Sequence, residues 1–521
     1  MKLKLENTQI DELTAVGNQE QRLLANMFLR RGEHITRRFV YFYEKLQTLP
    51  RNVRRVLRKR LAMTLAGAAL LLALSGAPSV HAASITVNTN GGVIPFDGQC
   101  SLVEAIIAAN TDAAFGGCSS GAAGLDTITF AGSGASYLLY SEYSGSGNAL
   151  PLINTDITID GGTLGTKISL SSVASIRILQ VENGATLTLN DVTLSGGNAL
   201  TDSGGAIYNN GGVVNINNSI ISGNAALKGG GVYNTAGGIM VLTNTTVSGN
   251  EAIGDGAAGI FNFALGLDAT ITINNSQVSG NIGSGAASQG GGVYNWGDLG
   301  GVATVNITNS VINGNLADGN GGGIVNYGSR SGSGVLNIDS STISGNFANA
   351  DLAAIGNGGA VFNVGVAPGG TAEVTLTNST ISNNYADSGS GVFSDGGTVT
   401  IVHSTIAKNV ANVGSVGGVV GTASVKNSII AEQVAGFDCG GGVVTSQGYN
   451  IDSDSSCSLS TALQDKPGVT PAELLLEDLL GEFPTDQKIH PPTHALGNGS
   501  VAIDAIPNGT NGCAGSGFGA T

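Results

Sequence analysis

The sequence predicts an all-β chain, wound as a right-handed parallel β-helix with a short helical cap at its N-terminal end. Three observations predict it. First, a glycine pair, two or three apolar or aromatic residues and an asparagine recur, as in GGAIYNN (204–210), GGGVYN (229–234 and 290–295), GGGIVN (321–326) and GGAVFN (358–363). Second, a phrase ending Ser-Gly-Asn or a close variant alternates with it, closing at Asn224, Asn250, Asn281, Asn315, Asn346 and Asn384. Counted from Asn198, these markers stand 26, 26, 31, 34, 31 and 38 residues apart. Such a period signals a solenoid with loops of variable length inserted at one corner. Third, the runs between markers (VVNINNS, ATITINNS, ATVNITNS, AEVTLTNS) are short, β-branched and alternate with period 2.

Three such strands per coil of about 20–30 residues would stack as parallel strands about 4.8 Å apart. Identical residues then fall above one another. Asn224, Asn250, Asn281, Asn315, Asn346 and Asn384 are therefore expected to form a hydrogen-bonded amide ladder. The 82 glycines raise disorder as a rival, but a chain that is 41% hydrophobic and 11% charged has the wrong balance for it.

Residues 1–82 differ in kind. They hold 14 of the 22 Lys and Arg, and the basic run at 51–60 leads into LAMTLAGAALLLAL and a small-residue step before Ala83. That is the pattern of a secretory signal peptide. Its apolar stretch is shorter than the roughly 20 residues of a membrane span. The long stretch ahead of the basic run is either an extended signal or an over-long start. Residues 83–521 then carry 8 basic and 31 acidic residues, a balance of −23, which would repel nucleic acid. The expected divisions are the leader (1–82), an N-terminal cap and first strand (83–130), the repeats (131–432) and a cysteine-bearing tail (433–521).

All five cysteines follow the leader. Cys100 with Cys118, and Cys439 with Cys457, each close a short loop near one end of the repeats, and in an exported chain they read as two local disulfides. Metal binding is the rival, without a CxxC spacing or a nearby histidine. Cys513 is left over, as a free thiol or one whose partner is elsewhere. The stretch from Cys100 to Asn110 is the one convincing helix, with a Ser101/Glu104 capping box and apolar residues at Leu102, Ala105, Ile106 and Ala109. It should cover the open N-terminal end, just before a first strand at 126–130.

CSLVEAIIAAN (100–110) resembles the CSLREA motif that opens many secreted bacterial β-helix proteins, with Val103 where that motif usually has Arg. NSIIAEQ (427–433), Asp438-Cys439, SQGYNID (446–452) and PPTHALGNGSVAIDAIPNGTNGC (491–513) resemble the choice-of-anchor Q domain. The GGxYN phrases are similar to repeats of polymorphic outer-membrane proteins. The resemblance implies a pectin-lyase-like parallel β-helix exported to the cell surface, and leaves open how the chain is attached.

Enzymes of this fold cleave polysaccharides, and that chemistry sets what the titratable residues would have to supply. A lyase of the fold needs aspartates around calcium and an Arg or Lys base, yet residues 83–521 contain only Arg177 and Arg330, neither beside an aspartate cluster. Asn154-Thr155-Asp156 resembles part of a polygalacturonase motif without its partners, and Asp156 reads as a rung cap. His403 falls at the ladder position that asparagine fills in other rungs and reads as a stacked or surface imidazole. His490 and His494 are separated by two prolines, which prevents a helical metal pair. Asp452–Asp454, the one candidate for calcium, lacks the glycine and distant glutamate of a loop site and reads as a turn. Tyr208, Tyr233, Phe261, Tyr294, Trp296 and Phe362 are expected as an interior or corner stack, with sugar stacking as the rival.

No catalytic, cofactor or metal residue is assigned on this basis. The function expected is a non-catalytic secreted or bacterial cell-surface protein, monomeric, with an adhesin-like or an envelope structural and binding role. It would meet a glycan or protein through the loops that carry Lys228, Asp255, Asp298, Asp318 and Asp351. A polysaccharide lyase or glycoside hydrolase with a diverged site is the alternative.

Overall fold

A computed structural model describes residues 83–90, 97–132, 134–171, 175–285, 288–349, 355–479, 491–503 and 505–506. The leader, Asp351, His490 and Cys513 lie outside them. The chain winds as a parallel β-helix. Thirteen strands, from Ser84–Val87 to Val444–Ser446, form sheet 1, and twelve, from Ser136–Leu139 to Ile451–Asp452, form sheet 2. Ten strands, from Leu179–Glu182 to Val434–Gly440, form sheet 3. A short sheet 4 of six strands, absent from the expected three-strand coil, runs from Asn198–Ser203 to Phe347–Ala348.

One coil shows the rule. Val232–Thr235 lies in sheet 3, Ile239–Thr243 in sheet 1, Thr246–Ser248 in sheet 2 and Glu251–Ala252 in sheet 4, before Ile260–Leu265 returns to sheet 3. Successive coils hold register, with Val232 over Ile260 and Asn234 over Asn262. The alternation read from the sequence is the reason: every second residue points inward, so Met240 stacks on Ile271 and Leu242 on Ile273 in a continuous aliphatic core. A one-residue slip would turn each of these outward.

Corners use left-handed backbone. Asn218, Asn244, Asn275, Asn309, Asn378 and Asn427 all turn with φ between 47° and 52°, and His403 takes the same corner at 50°. Asparagine tolerates this region better than most residues. The second corner uses Gly223, Gly249, Gly280, Gly314 and Gly345 at φ 60–63°, then Asn383, Lys408 and Glu432 in later coils.

The helical cap forms as expected. Helix α1 (Leu102–Thr111) starts at Ser101, whose hydroxyl accepts from the Glu104 amide while the Glu104 carboxylate accepts from the Ser101 amide. Its buried residues, Leu102, Val103, Ala105 and Ile106 among them, join the main core. The strand at Asp126–Phe130 is not the first, because Ser84–Val87 precedes the helix and pairs with it in parallel. At the other end the coils run past residue 432, since Val434–Gly440, Val444–Ser446 and Ile451–Asp452 pair as a further turn. Disulfides join Cys100 to Cys118 and Cys439 to Cys457, with Cα atoms 4.6 and 4.8 Å apart, the bonding state of an oxidising environment. Among the described residues no helix is long and apolar enough to cross a membrane.

Candidate functional site

The repeated polar side chains face inward. Each amide from Asn224 through Asn250, Asn281, Asn315, Asn346 and Asn384 donates from Nδ2 to the Oδ1 of the next at 2.8–2.9 Å, and all are buried. The same Oδ1 accepts the backbone N–H of the previous asparagine, as from Asn250 to Asn281 at 3.0 Å. The ladder runs on through Asn409 to Gln433. Asn198 is not its first member: Gly197 holds that position, donating its N–H to Asn224, and Asn198 pairs one residue on, with Ala225. A second buried ladder links Asn209, Asn234, Asn262, Asn295, Asn326 and Asn363 at 2.7–2.8 Å and closes on the Ser394 hydroxyl. A third is made of hydroxyls, in which Ser276, Ser310, Ser341, Ser379 and Ser404 each accept the backbone N–H of the previous coil's member.

With these groups consumed inside, chemistry is left to the outward faces. On sheet 3 two aromatic columns stand side by side. Tyr208, Tyr233, Phe261 and Tyr294 stack at 4.8–5.3 Å, and Val325, Phe362 and Phe393 continue their column. They point away from the main core, yet Tyr233, Phe261 and Tyr294 are buried beneath the loops that enter sheet 3. Burial pushes the Tyr233 and Tyr294 hydroxyls well above the usual tyrosine range. The stack is therefore neither interior nor at a corner, the two places expected, but lies on the outer face of the sheet 3 strands, packed outside the main core. Trp296, expected in that stack, stands instead in a second column that was not anticipated: Phe263, Trp296 and Tyr327 align on three successive coils and stay half-exposed. Its signal was present, since each follows the first-column residue by two, in IFNF, VYNW and IVNY.

Both arginines of residues 83–521 are paired one coil away. Arg177, almost fully buried, pairs with Asp202, donates to Gln180 at 2.8 Å and lies 4.6 Å from the Tyr208 ring centroid. Gln180 and Asn210 both donate to Glu182. Arg330 grips Asp298 through Nε and Nη2. Asp298, expected in a display loop, ends a strand of sheet 3 and is buried. The Arg330 guanidinium holds its carboxyl below the usual carboxylate range, helped by the Ser329 hydroxyl. Ser329 donates to Asp298 at 2.9 Å and accepts from the Trp296 indole at 3.0 Å, so the ion pair orients the tryptophan. Lys228 ends a strand of sheet 4, its ammonium 6.0 Å from the indole centroid.

The remaining candidates are spent on structure. Asp156 accepts the Thr186 amide of the next coil at 2.9 Å. Asp452 accepts the amides of Cys457 and Gly468, and Asp454 those of Ser456 and Asp438. Buried Asp438, bonded to Ser453, is pushed up to about 7 by desolvation, with Asp454 and Asp452 adding to it. His403 is not in the amide ladder, which runs through Asn409, but at the corner, 3.3 Å from the side chain of Asn427 at the same corner of the next coil. His494 lies against sheet 2, between the Ser382 hydroxyl at 2.7 Å and the Glu477 carbonyl at 2.6 Å, and burial lowers its pKa. Among the described residues, no three His, Cys, Asp or Glu side chains converge as a metal site.

Compared with protein-family models, curated proteins and solved structures, the chain matches none. Its chemistry is therefore read from its own surfaces.

Proposed function

We infer that this chain is an exported, non-catalytic β-helix protein, secreted or held at the bacterial cell surface, which presents a long stiff shaft to a binding partner in an adhesin-like role. The observation that carries the reading is where the repetition is spent. The residues that recur on each coil, the two amide ladders and the hydroxyl ladder, are internal and hydrogen-bonded from coil to coil. Selection for such repeats is selection for length and rigidity, and it leaves recognition to surface side chains that differ between coils. The carboxylates nearest the arginines are held in ion pairs or by hydrogen bonds from side-chain amides, whereas acid–base or lyase chemistry needs titratable groups free to converge on a substrate. The leader pattern, the two disulfides and the balance of −23 over residues 83–521 all fit a soluble exported chain.

The test is turnover. The exported protein is incubated with acidic and neutral polysaccharides, with and without calcium, and reducing ends and 4,5-unsaturated products are read. The expected result is no product above that of heat-treated protein. Turnover abolished by Arg177→Ala, Glu182→Gln or Arg330→Ala would replace this reading with the enzymatic one.

A further inference from the structure

The second aromatic column of sheet 3 is built to a standard that a bare surface does not require. Phe263, Trp296 and Tyr327 occupy the same register position on three consecutive coils, with ring centroids 5.0 Å apart for the first pair and 5.7 Å for the second. They are braced along the strand: the indole stacks on buried Tyr294, two residues before it, at an interplanar angle of 12°. They are held from the side by the chain from Arg330 through Asp298 and Ser329 to the indole N–H. Fixing an exposed ring in this way costs nothing further in side-chain entropy when a ligand arrives, which is how preorganised sites gain affinity.

We propose that this shelf is a binding site for a neutral, β-linked glycan chain lying along the solenoid axis across the three aromatic rings. The proposal rests on the non-catalytic reading above and names the ligand class of that surface. Three arguments select the occupant. The coils are about 4.8 Å apart, close to the length of one sugar unit in an extended β-linked chain, so successive rings can meet successive coils in step. The rings are tilted by 49° from Phe263 to Trp296 and stand edge to face at 86° from Trp296 to Tyr327, a twisted row that offers faces and edges to the C–H groups of a pyranose chain, while Arg330 and Lys228 stand beside the column to meet hydroxyls. A protein partner is disfavoured by size: three half-buried rings leave roughly 200 Å², against the roughly 800 Å² per partner of a stable protein interface.

Charge chooses among glycans. The balance over residues 83–521 is −23, and Arg330, which could attract an anion at the shelf, is already neutralised by Asp298. Uronic acid chains would therefore be repelled over most of the approach, whereas a neutral hexose or N-acetylhexosamine chain pays no such penalty.

Trp296 is the only tryptophan in the chain, so intrinsic tryptophan fluorescence reads this shelf and nothing else. The exported protein is titrated with gluco-, manno-, xylo- and N-acetylglucosamine hexasaccharides of β-1,4 linkage and with hexagalacturonate. Emission and acrylamide quenching are followed in parallel with titration calorimetry. At least one neutral hexasaccharide should give a saturable emission change and halve the quenching, with hexagalacturonate giving neither. Trp296→Ala and Phe263→Ala should each weaken the calorimetric affinity at least about tenfold, which is about 1.4 kcal/mol. Trp296→Phe should keep most of it, and each variant should retain the wild-type circular dichroism spectrum.

The proposal is overturned if no neutral hexasaccharide changes the emission, if only hexagalacturonate does, or if both alanine variants bind as the wild type does. An emission change that follows protein concentration alone, with a doubled mass in solution, would also overturn it in favour of a second copy on the shelf. The two readings fail separately. Product release with an intact tryptophan response removes the non-catalytic reading and keeps the shelf, and a silent tryptophan without product does the reverse.

Discussion

Replacing Asn281 by alanine should be among the most damaging single changes in the shaft. Asn281 is fully buried, its Oδ1 accepts both the backbone N–H and the side-chain N–H of Asn250, and its Nδ2 donates to Asn315 and to the Val247 carbonyl. Alanine leaves two Asn250 donors without a partner in a fully buried site. A buried donor left unsatisfied costs about 1–3 kcal/mol, so the two together predict a loss of about 2–6 kcal/mol. The matched control is Asn337→Ala. That residue makes the same amide-to-amide bond, to Asn306 at 2.9 Å, but on the exposed face of sheet 1, where solvent replaces it and the cost should stay within about 0.5 kcal/mol. Because long repeat arrays need not unfold in one step, the readout is hydrogen exchange at the Asn250 amide, supported by denaturant melts. Similar exchange and melting for both variants would refute the claim that the internal ladder holds the coils together.

Three further outcomes follow from the same geometry. Asp438 is held at about 7 against an ordinary value of 3.8, so the folded chain keeps a proton that the unfolded chain has lost. Stability should fall between about pH 4 and pH 7, by up to about 4 kcal/mol at 1.36 kcal/mol per pH unit, and level off above, and Asp438→Asn should flatten melting temperature against pH over that window. Opening Cys439–Cys457, which closes an 18-residue separation, by a double alanine change should cost about 3 kcal/mol in melts under oxidising conditions, and reductant should then have less effect than on the wild type. Asp298→Ala should red-shift the Trp296 emission and raise its acrylamide quenching by freeing Ser329. In the wild type the shelf should stay ordered above the usual carboxylate range and loosen only as acid protonates Asp298, whose stabilising contribution is lost as pH falls through its lowered pKa.

The coil was legible because identical residues must stack when identical strands do, and the markers from Asn224 to Asn384 mapped directly onto a ladder. The disulfides and the Ser101–Glu104 cap were legible because they are local in sequence. Asn198 was misplaced by one because Ser-Gly-Gly-Asn inserts a glycine before it, and only the hydrogen bond from Gly197 identifies the true position. Asn409 was missed because Lys408 takes the left-handed corner that glycine occupies in earlier coils, which erased the Ser-Gly-Asn phrase without altering the backbone turn. The pairing of Asp298 with Arg330 spans 32 residues and depends on the length of the intervening coil, which no local pattern reports. The Phe263–Trp296–Tyr327 shelf needed only the period-2 rule applied one step past the asparagine, and it was hidden by the louder column beside it.

The measurement that bears most directly on the central claim, an exported shaft displayed outside the cell, is mass spectrometry of the protein from its producing cells after protease treatment of the intact cells. The account predicts a chain that begins at Ala83, disulfides linking Cys100 to Cys118 and Cys439 to Cys457, and cleavage at exposed Arg330 without cell lysis. A protein that keeps residues 1–82, carries free thiols at those four positions and yields to protease only after lysis would contradict it.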